Sequence, residues 1–240
     1  MTDYGSRLIE RETVADGIVA FHFTRPKAFQ FRPGQCADVT LVQPAETDAE
    51  GDTRTFSIAS PPFEARLLFV TRMRNTAFKR TLRAAPVGTE VRIGEPMGSF
   101  TLHRSVEKPA VFLAGGIGIT PFLSIVRQAA QDKSGHRLFL FYSNRRPEEA
   151  CYLDVLQKVA AEYPSFRCIP TVTGMSKSNT SWTWETGRID GEMLVKHLSV
   201  LQGPIYYVAG PPGMVSAMRE MLAQAGVDED DVRSEEFGGY

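Results

Sequence analysis

The stretch that most constrains the fold is residues 109–121. Pro109-Ala110-Val111-Phe112-Leu113-Ala114 is almost wholly apolar, and Gly115-Gly116-Ile117-Gly118-Ile119-Thr120-Pro121 follows without a gap. A strand that is apolar on both faces has to be covered on both faces, which is the situation of a parallel sheet wrapped by helices. The glycines let the backbone turn sharply and approach a phosphate closely. Thr120 is a natural N-cap and Pro121 suits the first position of the helix expected over 121–131. Free amides and the dipole at such a helix start favour an anion. The same residues would also serve as a tight strand-to-helix turn holding nothing.

The alternation continues to the end of the chain. Strands are expected at 137–142, 166–173, 204–209 and 232–237, and helices at 148–162, 190–197 and 211–225. Before residue 109 the grammar differs. Short apolar-rich runs at 7–13, 18–24, 36–42, 54–59, 66–72 and 90–93 are separated by Asp16-Gly17, Arg32-Pro33-Gly34, Pro61-Pro62 and Pro86-Val87-Gly88. Strands at that spacing predict a small antiparallel β-barrel, interrupted by one helix over 76–85. The sequence therefore predicts two domains, an N-terminal antiparallel β-barrel over 1–104 and a C-terminal α/β parallel-sheet domain over 105–240, joined by the polar segment 102–108. A length of 240 residues with 42% hydrophobic and 23% charged residues supports two cores. The acidic run 43–53 (Glu46, Asp48, Glu50, Asp52) is expected to be a solvated loop.

Three motifs carry candidate chemistry. In Arg54-Thr55-Phe56-Ser57-Ile58-Ala59-Ser60, a planar cation and a flat ring lie two residues apart, on one face of a strand, beside hydroxyls. A dinucleotide such as FAD presents an anion, a flat ring and a polar ring edge. A salt-bridged arginine and a core phenylalanine would explain the same pattern. The glycine turn is the second motif, with Gly115, Gly116, Gly118, Thr120 and Pro121 as candidates. The third is Ala209-Gly210-Pro211-Pro212-Gly213-Met214 at the end of another parallel strand, where open α/β sheets bind ligands; Gly210, Pro211 and Met214 are its candidates. The strand over 137–142 runs into Ser143-Asn144-Arg145-Arg146 and lacks the acid that would bind a ribose 2′-hydroxyl. Ser143, Arg145 and Arg146 suit a 2′-phosphate instead, which favours NADP over NAD.

These three motifs, in this order, resemble the ferredoxin–NADP reductase superfamily of FAD-binding oxidoreductases, over nearly the whole chain. The resemblance implies an FAD-binding barrel followed by a Rossmann-like NADP-binding domain. It implies that Arg54 holds the flavin pyrophosphate, that Phe56 lies against the isoalloxazine, that Ser57 sits near the reacting N5, and that Thr55 and Thr71 belong to the same site. The second phosphate-binding segment falls at 72–79, where the family's glycine is missing; Ala77, Phe78 and Lys79 are the candidates. A cysteine common in the family before the second glycine turn is Ala209 here. The C-terminal aromatics Phe237 and Tyr240 are candidates for covering the flavin face that nicotinamide must reach. Nicotinamide C4 would then meet flavin N5 at about 3–3.5 Å, in a cleft between the two domains.

The function implied is an oxidoreductase moving a hydride between NADP(H) and FAD, and single electrons between FAD and a separate carrier such as ferredoxin or flavodoxin. A flavin reductase using flavin as a dissociating substrate, and an electron-transfer subunit of a larger complex, are the alternatives. The cysteines Cys36, Cys151 and Cys168 have no iron–sulfur or C-x-x-C spacing, so structural thiols and no metal are expected. A net charge of −1 points to neither nucleic acid nor membrane. No apolar run reaches about 18 residues, and residues 1–16 have no signal-peptide pattern, so a cytoplasmic monomer is expected. Arg72, Arg74, Lys79, Arg80, Arg83, Arg104 and Lys108 cluster in the second half of the barrel segment, and a basic rim there would suit a small acidic carrier.

Overall fold

The computed structural model describes residues 3–238. Its N-terminal half is a six-stranded antiparallel sheet in the order β4-β3-β6-β1-β2-β5. The strands are β1 (Tyr4–Ala15), β2 (Ile18–Thr24), β3 (Cys36–Leu41), β4 (Thr53–Ser57), β5 (Arg66–Arg72) and β6 (Glu90–Ile93). The two edge strands approach each other. The Ala59 amide donates to the Leu68 carbonyl at 2.8 Å, and Phe56 packs on Phe69 with ring centroids 6.2 Å apart. The sheet thus curls round a core of Leu8, Phe21, Phe23, Phe29, Val39, Leu67, Phe69 and Phe78. One helix, α1 (Ala77–Ala84), seals the barrel with Phe78 and Leu82, and Thr76 caps it by accepting from the Lys79 amide.

The second half is a six-stranded parallel sheet in the order β10-β9-β8-β7-β11-β12. Its strands are β7 (Ala110–Gly115), β8 (Leu138–Asn144), β9 (Phe166–Val172), β10 (Glu185–Thr186), β11 (Ile205–Gly210) and β12 (Val232–Glu236). The helices are α2 (Ile119–Gln131), α3 (Leu153–Glu162), α4 (Gly191–Leu198) and α5 (Pro212–Gln224). The alternation along β7 explains the layering. Ala110, Phe112 and Ala114 face one core with Phe122 and Leu156 of α2 and α3, while Val111 and Leu113 face another with Leu194 and Leu222 of α4 and α5.

The first of these cores does not stop at the sheet. It runs on through Phe100 into Ile18, Ala20, Ala59, Leu68 and Val70 of the barrel. Polar ties reinforce the junction: Ser124 Oγ donates to the Ser60 carbonyl at 2.8 Å, and Arg127 pairs with Glu64. An apolar junction of this kind holds two domains as one body.

Several sequence expectations need correction. Helix α2 begins at Ile119, behind a 3₁₀ turn over Gly116–Gly118, so Gly118 takes the cap position. Thr120 is no N-cap; its hydroxyl donates back to the Ile117 carbonyl at 3.0 Å, and Pro121 is buried inside the first turn. The helix expected over 148–162 is two pieces, a 3₁₀ turn at Pro147–Glu149 and α3, broken where Tyr152 turns through a left-handed φ of 58°. The short strand β10 was not foreseen. The thiols fit the structural reading: none is disulfide-bonded, and burial pushes Cys151 up to about 11 and Cys168 up to about 12. Among the described residues no group of His, Cys, Asp and Glu could hold a metal, and no helix is long and apolar enough to cross a membrane.

Candidate functional site

The carboxyl ends of β7, β8 and β11 point at the open side of the barrel, and a cleft with two arms lies there. The larger arm is a cavity of about 630 Å³ lined by Arg54, Thr55, Phe56, Ser57, Val70, Thr71 and Lys79 from the barrel side. Ile117, Thr120, Glu235 and Phe237 line it from the other side. The smaller arm, about 310 Å³, is lined by Gly115, Gly116, Ser143, Asn144, Arg145, Thr173, Pro211 and Met214. Arg72 and Arg74 line both, so the arms meet there.

The barrel arm brings together most of the candidates from the first motif. β4 pairs with β3 in register Cys36↔Ser57 and Ala37↔Phe56. Phe56 is half-buried against Phe69 and Phe78, with the rest of its ring turned to the cavity. Ser57 and Thr71 are buried in the cavity wall. Phe78 is not a cavity residue: it is a core side chain, and the Arg54 guanidinium lies over its ring at 5.2 Å.

Arg54 is engaged by its own chain. Its Nη2 meets Asp48 at 3.2 Å and Glu50 at 2.8 Å, and its Nη1 donates to the carbonyls of Glu50, Gly51 and Thr53. The Ala77 amide at the start of α1 donates to the same Asp48 carboxylate at 2.9 Å. That amide, more than any other contact, holds the Asp48 carboxyl below its usual range. Arg54 and the Ala77 amide, which the resemblance places in two separate phosphate-binding segments, converge here on one anion, the Asp48 carboxylate. Glu46 pairs with Arg80 at 2.5 Å, so the acidic loop is clasped to the barrel rather than merely solvated.

Lys79 extends the anion site. Its Nζ donates to the Arg72 carbonyl at 2.8 Å, and its amine is pushed down to about 8, first by burial and then by Arg74 and Arg54. Glu50 offsets this only in part, so a phosphate beside this half-buried amine would favour its charged form.

The glycine turns have a packing reason of their own. A Cβ on Gly118 would lie 2.2 Å from the Ala209 carbonyl oxygen, and one on Gly115 would meet the Met214 Sδ at 2.3 Å. The two turns thus lock against each other across β7 and β11. Gly116 differs: its φ of +52° suits glycine, and it lines the small arm.

At the end of β8 the candidates separate. Ser143 and Arg145 line the small arm. Arg146 turns towards the barrel and pairs with Asp16 at 2.5 Å and Glu149 at 3.1 Å, and Glu149 also pairs with Arg72 at 3.1 Å. Three of the seven residues of the expected basic rim, Arg72, Arg80 and Lys108, have a carboxylate partner.

The tail does return to the cleft. β12 pairs with β11, the Phe237 amide donates to the Gly210 carbonyl at 3.0 Å, and Phe237 lines the large arm. Tyr240 lies outside the described residues. Glu235, a residue that sequence reasoning missed, also lines this arm, and burial pushes its carboxyl up to about 7. Its position two residues before an aromatic was the only hint in the sequence.

Comparison with known proteins agrees with this layout. Residues 112–220 match the oxidoreductase NAD-binding domain family. The anthranilate 1,2-dioxygenase electron transfer component of Acinetobacter baylyi is 31% identical over 214 residues, covering 88% of this chain and 59% of that protein. Ferredoxin–NADP reductase B of Sorangium cellulosum is 27% identical over 245 residues, covering 98% of this chain and 97% of that protein. The crystal structure of a ferredoxin NADP⁺ reductase from Neisseria gonorrhoeae with bound FAD and NADP superposes with a TM-score of 0.82 at 19% identity, over 98% of each chain. The chain spans between 38% and 65% of the length of several other curated relatives.

Proposed function

We propose that the chain is a member of the ferredoxin–NADP reductase superfamily, an FAD-dependent oxidoreductase that takes electrons from NADPH and passes them to a separate small acidic carrier of the ferredoxin or flavodoxin type. The observation that carries this reading is the convergence of Arg54 and the Ala77 amide on one anion, at the mouth of a cavity walled by Phe56, Ser57 and Thr71 and faced by the glycine turns. When bound, FAD would supply the chemistry, accepting two electrons from a nicotinamide and releasing them singly.

The protein's part is to bind, orient and exclude. Arg54, the α1 amides and Lys79 hold the diphosphate. Phe56 gives the flat ring an apolar wall. Ser57 and Thr71 offer hydroxyls to the polar ring edge. Phe237 covers the opposite approach. Glu235 carries a proton below about pH 7 and can give it up inside the cavity. In the other arm, Gly115, Gly116, Pro211 and Met214 line the coenzyme groove together with Ser143 and Arg145, while Gly118 and Gly210 let the two turns pack closely behind it. Arg146 has only a secondary part, since Asp16 and Glu149 already hold it. The barrel function is assigned to residues 1–104 and the coenzyme function to 105–240.

The test is turnover by the FAD-loaded chain with NADPH and either a small neutral acceptor or a ferredoxin. The reading expects NADPH-dependent reduction of both, with only ferredoxin reduction slowed by added salt, because exposed charges are screened within about 10 Å at 0.1 M. No reduction of either acceptor would overturn it.

A further inference from the structure

We propose that Asp48 is an internal competitor for the FAD phosphate site, so that FAD binds by displacing the acidic loop and Asp48 sets both the affinity and the exchange rate of the flavin. This rests on the FAD reading above. The segment between β3 and β4 closes over the start of α1 with three carboxylates. Glu46 holds Arg80, Asp48 takes the Ala77 amide and Arg54, and Glu50 takes Arg54 again. Among the described residues, the hydrogen bonds and ion pairs of the Arg54 guanidinium go to this segment or to its junction with β4, and its face lies over the Phe78 ring. The arginine cannot give the same donors to a diphosphate while the loop stays in place.

The loop is built to leave. Asp48 and Glu50 are 33% and 69% exposed at their side chains, so solvent weakens their pairs with Arg54. The segment turns through left-handed residues at both ends, Gln43 and Gly51, and nothing lies within 4 Å of where a Gly51 Cβ would be. Glu50 itself lines the large arm, so loop and cavity are continuous. A diphosphate brings two charges to donors that the loop meets with two exposed carboxylates. It wins the site at a reduced apparent affinity, because any species that holds the free state subtracts from binding.

A protein of this kind exchanges its flavin. The two readings of flavin as fixed cofactor and flavin as passing substrate then differ by the grip of one loop.

The experiment is FAD titration and rapid-mixing association, followed by flavin fluorescence, on the full chain. Wild type, Asp48→Ala, Asp48→Asn and Asp52→Ala are compared, with Arg54→Ala as the site control. Asp48→Ala should lower Kd roughly five- to tenfold, the scale of one released ion pair and one released amide hydrogen bond. Its observed association rate should rise linearly with FAD, whereas that of wild type should level off at the rate of loop release. Asp48→Asn keeps the side-chain shape and an acceptor for the Ala77 amide, and should tighten binding to a lesser extent. Asp52→Ala, which removes a charge from the same loop away from Arg54, should leave Kd unchanged. Equal or weaker FAD binding by both Asp48 variants overturns the proposal, as does equal tightening by Asp52→Ala. If wild type and Asp48→Ala alike bind no FAD, or if Arg54→Ala binds it as tightly as wild type, the FAD-site reading itself fails and takes the proposal with it.

Discussion

Lys79 is the residue whose chemistry reports on the site most simply. In the free protein burial, and then Arg74 and Arg54, push its amine from the ordinary 10.5 down to about 8. A phosphate group placed there favours the charged form and raises that value. Binding of FAD at pH 9 should therefore take up a proton, whereas binding at pH 7, where the amine is already charged, should take up almost none from this group. Calorimetric titration in buffers of different ionisation enthalpy measures the uptake directly, and Lys79→Gln should abolish it. The sequence offered Lys79 as a candidate on resemblance alone. It could not indicate Asp48 or Glu235, since an acid among acids in a loop, or near a chain end, gives no sign of what it will touch. Burial of Glu235 and capture of Arg54 by Asp48 are products of tertiary structure.

At the scale of elements, the two glycine turns bear on packing and on ligand binding in separable ways. Gly118→Ala drives a Cβ to 2.2 Å from a backbone carbonyl, which can be relieved only by parting β11 from α2. We expect it to destabilise the protein by about 1–3 kcal/mol, as overpacking does, in thermal or urea unfolding with no ligand present. Gly116→Ala should cost about 1–2 kcal/mol, the strain of a left-handed alanine, and should in addition weaken coenzyme binding. The strands and helices were legible because their periodicities are local. Misreadings fell where backbone geometry departs from pattern. Thr120 and Pro121 looked like a helix start, yet the preceding glycines coil first into a 3₁₀ turn and α2 begins behind them. A left-handed Tyr152 splits a run that is periodic enough to read as one helix.

At the scale of the molecule, the cleft exists because two domains share a core and are pinned by ion pairs at its rim. Asp16 and Arg72 from the barrel meet Arg146 and Glu149 from the parallel sheet, and Glu149 is only 10% exposed at its side chain. Arg146→Ala should then act mainly on stability, lowering the midpoint of thermal unfolding while leaving the coenzyme preference unchanged. Arg145→Ala should shrink the preference for NADPH over NADH in kcat/KM by raising KM for NADPH alone. The sequence could offer both arginines to a 2′-phosphate but could not separate them, because Asp16 lies 130 residues away in the other domain. The central claim is that this cleft joins a nicotinamide to a flavin, and anaerobic stopped-flow mixing of the FAD-loaded chain with NADPH and with NADH tests it most directly. The account predicts rapid, complete loss of the oxidised flavin absorbance, faster or at lower concentration with NADPH. A flavin that stays oxidised with both coenzymes would contradict it.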